Sequence, residues 1–401
     1  MPNRDGLWTR RVGVESTRSG SPVPRLAFID NLRWTLIILV LSMHASDTYS
    51  PFGNWYFTDR PPSGFATRLS FAVYQSFLQA FFMALLFLLA GYFAAPALDR
   101  KGRMHFVRDR LRRLGLPTLL YMLLVGPLTQ YYLSHTWGTG GFIHQWLTHL
   151  QDGEWLSETG PMWFCAALLG FSLLYAVLPR AAAVAGEAHS PTSGGTVKPD
   201  TTRVLMFIAV MALATFVARI AVPESHSILN MHFGDFPQFV MMFSAGIQAY
   251  RGGWLDWVDG TQARIWALWA LGLSVPLYVM LIVMGGALRG DTRSYDGGLN
   301  WVSGGKCLWE SLVCVGMSFA LLALYRRHFN RQGPLAKLLA ENAFAVYLFH
   351  PPIIIALGIV MIGLSAPALV KAALLTGMAS VATFSLSALV LRRIPVLRRI
   401  L

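Results

Sequence analysis

Arg33 and His44 stand 11 residues apart in the stretch IDNLRWTLIILVLSMHASD, residues 29–47. Eleven helical steps overshoot three full turns by only about 20°, so the two side chains share one face about 16 Å apart. Asp30 lies three residues before Arg33, and Asp47 three after His44, which extends that face both ways. A guanidinium offers a fixed fork of donors to carboxylate or phosphate oxygens, and an imidazole takes up and returns a proton near neutral pH. A carboxylate one turn from the imidazole can orient its ring. Asp30 and Asp47 taken alone would equally suit the two ends of a helix that crosses a membrane. His44, set behind LVLSM, is not explained that way. Ionisable groups facing lipid are costly, so this face is expected to line a hydrated cavity enclosed by protein.

The rest of the chain must build that enclosure. Of its 401 residues, 54% are hydrophobic and only 13% charged, whereas a soluble domain carries roughly twice that charge. The apolar residues form continuous blocks of the roughly 20 residues that span about 30 Å of hydrocarbon. They do not alternate as the strands of a transmembrane barrel would. The sequence therefore reads as an all-α integral membrane protein of about ten transmembrane helices. These fall near 27–48, 69–95, 114–134, 161–179, 204–222, 236–250, 263–285, 300–325, 338–363 and 367–391, the sixth being short and polar at both ends. No internal repeat is evident, and the small, polar segment 183–202 reads as a flexible loop.

The net charge of +13 follows topology rather than a nucleic-acid surface. With a cytoplasmic N-terminus, 26 of the 33 Lys and Arg fall in inside segments, and seven (Arg60, Arg68, Arg219, Arg289, Arg293, Lys306 and Lys371) on the other side. The positive-inside rule then places both termini on the cytoplasmic side of a cell membrane. Residues 1–25 form a basic cytoplasmic tail, 26–391 the membrane domain and 392–401 a second basic tail. The first 24 residues hold no hydrophobic core, so the first span is expected to serve as its own insertion signal. Cys165, Cys307 and Cys314 lie in apolar blocks and offer neither a disulfide framework nor metal-ligand spacing.

Three further groups stand out. Segment 100–113, RKGRMHFVRDRLRR, reads as a cytoplasmic loop with seven basic residues, a topology signal or an anion site, with Arg110 and Arg113 nearest the third span. Tyr347 and His350 are three apart in ENAFAVYLFHPP and share a helix face, although Tyr347 also suits an interfacial anchor. Trp163 in GPMWF suits packing or anchoring as much as a site. The stretch 135–160 contains His135, His144, His149, Asp152, Glu154 and Glu158 and reads as a solvated amphipathic loop outside the catalytic set. His144 and His149 are five apart, unlike the helical His pairs that bind zinc.

The stretch IDNLRWTLIILVLSMH resembles the opening signature of the membrane acyltransferase-3 family, an Arg, ten residues and a His on the first helix. RDRLRRLGLP, residues 108–117, is similar to its second signature, an Arg-x-x-Arg that Arg110 and Arg113 match. FFMALLFLLAGYF (81–93), GPMWFCAALLGF (160–171), FPQFVMMFSAGIQAYRGGWL (236–255) and AENAFAVYLFHPPII (340–354) resemble later family blocks in the same order. The pattern DNLRW…HASDTYS…W is most similar to the branch related to glucan-succinylating proteins. No esterase-like module of the kind some members carry is expected beside the membrane domain.

The resemblance implies transfer of an acyl group, acetyl or succinyl, from cytoplasmic acyl-CoA to a hydroxyl of a carbohydrate or glycoside, with no metal. Arg33, Arg110 and Arg113 would then hold the CoA phosphates. His44 would act as general base with Asp47 orienting it, about one pantetheine length deeper. Asp30, Tyr347, His350 and Trp163 would touch substrate. No Gly-x-Ser-x-Gly elbow occurs, so direct transfer and a covalent acyl-histidine both stand open. A proton-coupled transporter or flippase would also use intramembrane ionisable groups.

Overall fold

Each apolar block is helical in the computed structural model, which describes residues 26–52, 55–133, 141–153, 159–178, 200–254, 260–287 and 292–398. Among the described residues, eight helices are long and apolar enough to cross a membrane. The first is α1 (Ala27–Tyr49), and α2 (Phe65–Arg110) follows it. The N-terminal tail, residues 183–199 of the polar linker and the last three residues of the C-terminal tail lie outside the described residues.

One of the eight runs 67 residues, from Phe65 to Tyr131, and takes in both the second and third expected spans. The connection at 100–113, expected as a basic loop, is instead helical. Its arginines, lysine, leucine and methionine are good helix formers, and it holds one glycine and no proline. That glycine, Gly102, makes the break, with φ +70° and ψ 165°, a conformation that a Cβ resists. Two five-residue π-helical stretches, Leu111–Gly115 and Tyr121–Val125, flank α3 (Leu116–Leu120) before α4 (Gly126–Leu133). Pro127 has no N–H to give the Leu123 carbonyl, and the Trp146 indole of α5 (Gly141–Gln151) donates to it instead at 2.7 Å. In α5, His144 is exposed and His149 buried, while His135, Glu154 and Glu158 lie outside the described residues.

Then come α6 (Trp163–Val177), α7 (Thr201–Ala221), a two-residue hairpin ladder (Ser227–Ile228 with Met231–His232) and α8 (Phe236–Arg251). The seventh expected span is split into α9 (Gly260–Gly272) and α10 (Ser274–Met284). Pro276 cannot donate to the Gly272 carbonyl, and the helix breaks there. The chain closes with α11 (Arg293–Asp296), α12 (Trp301–His328), α13 (Pro334–Val360), α14 (Ala368–Leu389) and α15 (Pro395–Arg398).

Helix α1 is central and packs against α2, α12, α13 and α14, while α9 and α10 present Leu268, Trp269, Val275, Val279 and Val283 outward. The 16-residue α8 lies almost backbone to backbone on α2. A Cβ on Gly246 would run into the Leu88 carbonyl oxygen, and one on Gly91 into the Phe243 carbonyl oxygen. Without a hydrophobic drive between helices in lipid, such close contact supplies the association energy.

Two polar clusters fix the bundle ends. Near the start of α1, buried Asn31 donates to the carbonyls of Phe329 (2.7 Å) and Arg331 (3.0 Å) and accepts from Trp34 and Gln332. At the opposite end of the bundle, fully buried Arg219 pairs with Asp235 at 2.6 Å and Glu310 at 2.8 Å, and Lys306 pairs with Glu224. Burial alone would push the Glu224 carboxyl up, yet Lys306 and Arg219 beside it hold it down at about 2.

Candidate active site

His44 and Asp47 meet as their spacing requires: His44 Nδ1 lies 3.3 Å from Asp47 Oδ2. Asp47 is buried, whereas the His44 side chain keeps 22% of its surface accessible. A carboxylate only accepts, so Nδ1 carries the hydrogen and Nε2 presents a lone pair. The other Asp47 oxygen, Oδ1, accepts from Gln75 Nε2 of α2 at 2.7 Å. Ser50 Oγ accepts from the Phe52 backbone N–H at 3.1 Å and donates to Gln75 Oε1 at 2.9 Å. That bond fixes which end of the Gln75 amide faces Asp47. Gln75→Leu is therefore expected to lower kcat about tenfold by freeing the carboxylate to turn, with KM for both substrates unchanged in steady-state assays.

His350 of α13 stands beside this pair, fully buried. In an unbroken helix the N–H of residue 351 would occupy the Tyr347 carbonyl. Residue 351 is proline, and His350 Nδ1 donates to that carbonyl at 2.7 Å. The donation fixes the tautomer, leaving Nε2 as a buried acceptor with no protein partner. The Trp55 ring lies 3.9 Å from the His44 ring and nearly parallel to it. His350 lies 5.3 Å from His44 and 6.4 Å from Trp55. These distances set the two neighbours roughly at right angles as seen from His44, so Trp55 covers the imidazole face and His350 flanks its edge.

Tyr347 and Trp163 both have partners within the fold. The Tyr347 hydroxyl donates to the Pro161 carbonyl and ties α13 to the turn before α6. Trp163 sits in an aromatic cluster with Phe87, Phe164 and Phe239, and Phe164 links that cluster to Tyr347. Two rings, Phe164 and Tyr347, thus connect Trp163 to His350.

The cations gather at the other end of α1. Arg33 is exposed, close enough to Asp30 and Arg110 for their charges to interact. Arg110 stacks over the Phe106 ring at 4.9 Å, and its Nε is buried with no protein acceptor. Arg113 is partly neutralised by Asp109, at 2.9 Å, which Lys101 also engages. Two like charges held together favour an anion between them, so Arg33 and Arg110, each also near a carboxylate (Asp30 and Asp109), could together hold one. Among the described residues no group of three His, Cys, Asp or Glu could hold a metal ion.

The profile of an acyltransferase domain, the acyltransferase-3 family, matches residues 26–392, nearly the whole chain. The chain belongs to the acyltransferase-3 family. This acyltransferase-3 chain is also similar to the proteins named glucans biosynthesis protein C of Salmonella typhi and Salmonella typhimurium, 32% identical in each case over 101 residues. A third relative of that name, from Salmonella paratyphi B, is 31% identical over the same length. The matched stretch covers 25% of this chain and spans only 25% of each relative's length. No solved structure matches. The apolar helices and bacterial relatives make this acyltransferase-3 chain a multi-pass protein of a bacterial inner membrane. Two of its site residues escape sequence reasoning. Gln75 carries no motif, and Trp55 is signalled only as the last residue of the DNLRW…HASDTYS…W pattern.

Proposed function

We propose that the protein is an acyl-CoA-dependent O-acyltransferase that moves an acetyl or succinyl group to a hydroxyl of a carbohydrate, a glucan or glycoside. The observation that carries this reading is the His44–Asp47 pair, its imidazole partly accessible, on one helix with Arg33 about 16 Å away. In this reading ten spans cross the membrane, α8 counting as the sixth, and both termini are cytoplasmic. The phosphates of CoA bind Arg33 and Arg110 with support from Arg113, and the pantetheine arm runs along α1 until its thioester meets His44.

The acceptor hydroxyl arrives from the opposite side of the membrane and donates to His44 Nε2. As its oxygen attacks the thioester carbon, the proton passes to Nε2, and Asp47 stabilises the imidazolium. Collapse breaks the carbon–sulfur bond, and the departing thiolate recovers the proton from His44. Asp30 balances Arg33 at the donor entrance, and His350 Nε2 accepts from a substrate donor. Tyr347 and Trp163 hold α13 and α6 around the site.

The test is transfer of label from acetyl-CoA and succinyl-CoA to glucan acceptors by purified protein in nanodiscs. Label that stays on CoA with every acceptor, together with glycoside uptake into vesicles, would replace this reading by transport. Arg110→Ala is expected to raise KM for acyl-CoA by about tenfold or more while leaving kcat within a factor of two or so. An unchanged donor KM removes Arg110 from the CoA site.

A further inference from the structure

Trp55 has so far been described only as a cover on His44, and its polar atom is unexplained. Its indole Nε1 is buried and meets no protein acceptor, although a buried indole N–H ordinarily finds one. The ring's position is strongly determined. Three residues of the segment that follows α1 anchor it to three different helices. Trp55 lies on His44 of α1. Phe57 packs against Gly358 of α13, where a Cβ would stand 3.1 Å from its ring. Asp59 receives a 2.5 Å bond from Lys371 of α14, while its backbone N–H donates to the Thr48 carbonyl at 2.8 Å. Lys371 is itself 3% exposed and lies over the Tyr49 ring. A buried ammonium is costly to desolvate and is kept only when well paired, so this clamp holds the segment in one place.

A donor held rigidly over the base of an acyl transfer has a specific use. The attacking hydroxyl lies near the plane of His44, in line with Nε2. A thioester whose carbonyl oxygen turned out of that plane on the covered side would bring the oxygen into the layer where the indole lies. We infer that Trp55 is a further catalytic residue, whose Nε1–H holds the acyl carbonyl oxygen as it becomes an oxyanion. The inference rests on the acyltransferase reading of this site. As the hydroxyl oxygen bonds to the carbonyl carbon and its proton moves to His44 Nε2, the carbonyl π pair passes to the oxygen. The Trp55 N–H stabilises that charge, and the pair returns when the carbon–sulfur bond breaks and the thiolate takes the proton from His44. Lys371 and Asp59 act as positioning residues for the indole. Preorganised donors of this kind are worth about a hundredfold or more in kcat.

Trp55→Phe keeps a ring on His44 and removes only the N–H. In nanodiscs its kcat for transfer from acetyl-CoA to a glucan acceptor should fall about a hundredfold, with both KM values within about threefold of wild type. A kcat within about threefold of wild type overturns the inference. A second measurement does not depend on turnover. Acetyl-CoA carrying a ¹³C carbonyl is bound to His44→Ala and to His44→Ala/Trp55→Phe, and its carbonyl stretch is read by infrared difference. The frequency should be lower with the tryptophan present, and equal frequencies overturn the assignment. Lys371→Met should lose about tenfold in kcat, and Lys371→Arg should restore most of it. A fully active Lys371→Met removes the clamp from the catalytic geometry. Wild-type protein that binds acetyl-CoA but transfers to no acceptor would instead overturn the acyltransferase reading, and this inference with it.

Discussion

His44→Ala should leave the protein as abundant and as monodisperse as wild type while reducing acyl transfer about a thousandfold or more. General-base catalysis contributes about 10²–10⁴, and this histidine is the group the Asp47–Gln75 chain orients. The side chain is partly accessible and packs between groups with their own anchors, so its loss should cost little stability. Adding Gln75→Leu to His44→Ala should bring no further loss, because Gln75 acts through Asp47 on a ring that is gone. The measurement is single-turnover transfer with saturating donor. Wild-type rates in His44→Ala would remove the base from the mechanism and leave the α1 face as structure alone.

The second large effect concerns assembly. Gly246→Ala should lower the yield of folded protein sharply and destabilise what is recovered by about 3 kcal/mol or more. The added Cβ meets the Leu88 carbonyl oxygen and the Tyr92 backbone nitrogen, at 2.8 Å, neither of which can turn aside as a side chain would. Gly91→Ala should behave alike, since its Cβ meets the Phe243 carbonyl oxygen across the same contact. Gly377→Ala in α14 is the control, since a Cβ there meets nothing within 4 Å, and its effect should stay within about 0.5 kcal/mol. Thermal midpoints in detergent separate the three. A Gly246→Ala protein as stable as Gly377→Ala would mean that α2 and α8 are held by something other than close approach.

The α1 face was legible because helical period alone sets it: 11 residues bring Arg33 and His44 into line whatever surrounds them. The apolar blocks were legible for the same kind of reason, since hydrocarbon thickness dictates their length. Segment 100–113 misled because its charge was read as a topology signal, and charge says nothing about whether a basic stretch is coiled. Pro276 could have announced the break in the seventh span, and Pro351 the freed carbonyl that His350 uses. Gln75 could not have been found this way. It lies 28 positions from Asp47 on another helix, and contact between helices leaves no periodic trace. Trp55 is placed for a related reason, since its segment is pinned to α1, α13 and α14 through Trp55, Phe57 and Asp59 in turn, contacts between distant parts of the chain. The partner of the Tyr347 hydroxyl was illegible for the same reason, since Pro161 lies 186 positions away.

The Asn31 bonds reach 298 positions along the chain to Phe329, and His350 comes later still. At about 5–20 residues per second, a ribosome needs about 15–60 s to make that stretch. For all of that time α1, the earliest span and among the less apolar of the eight, holds His44 and Asp47 without α13, whose His350 later stands beside them. Nascent chains stopped anywhere before α13 would therefore carry a half-built reaction chamber. Newly inserted α1 must be sheltered by the insertion machinery, or by early pairing with α2, until synthesis is nearly finished.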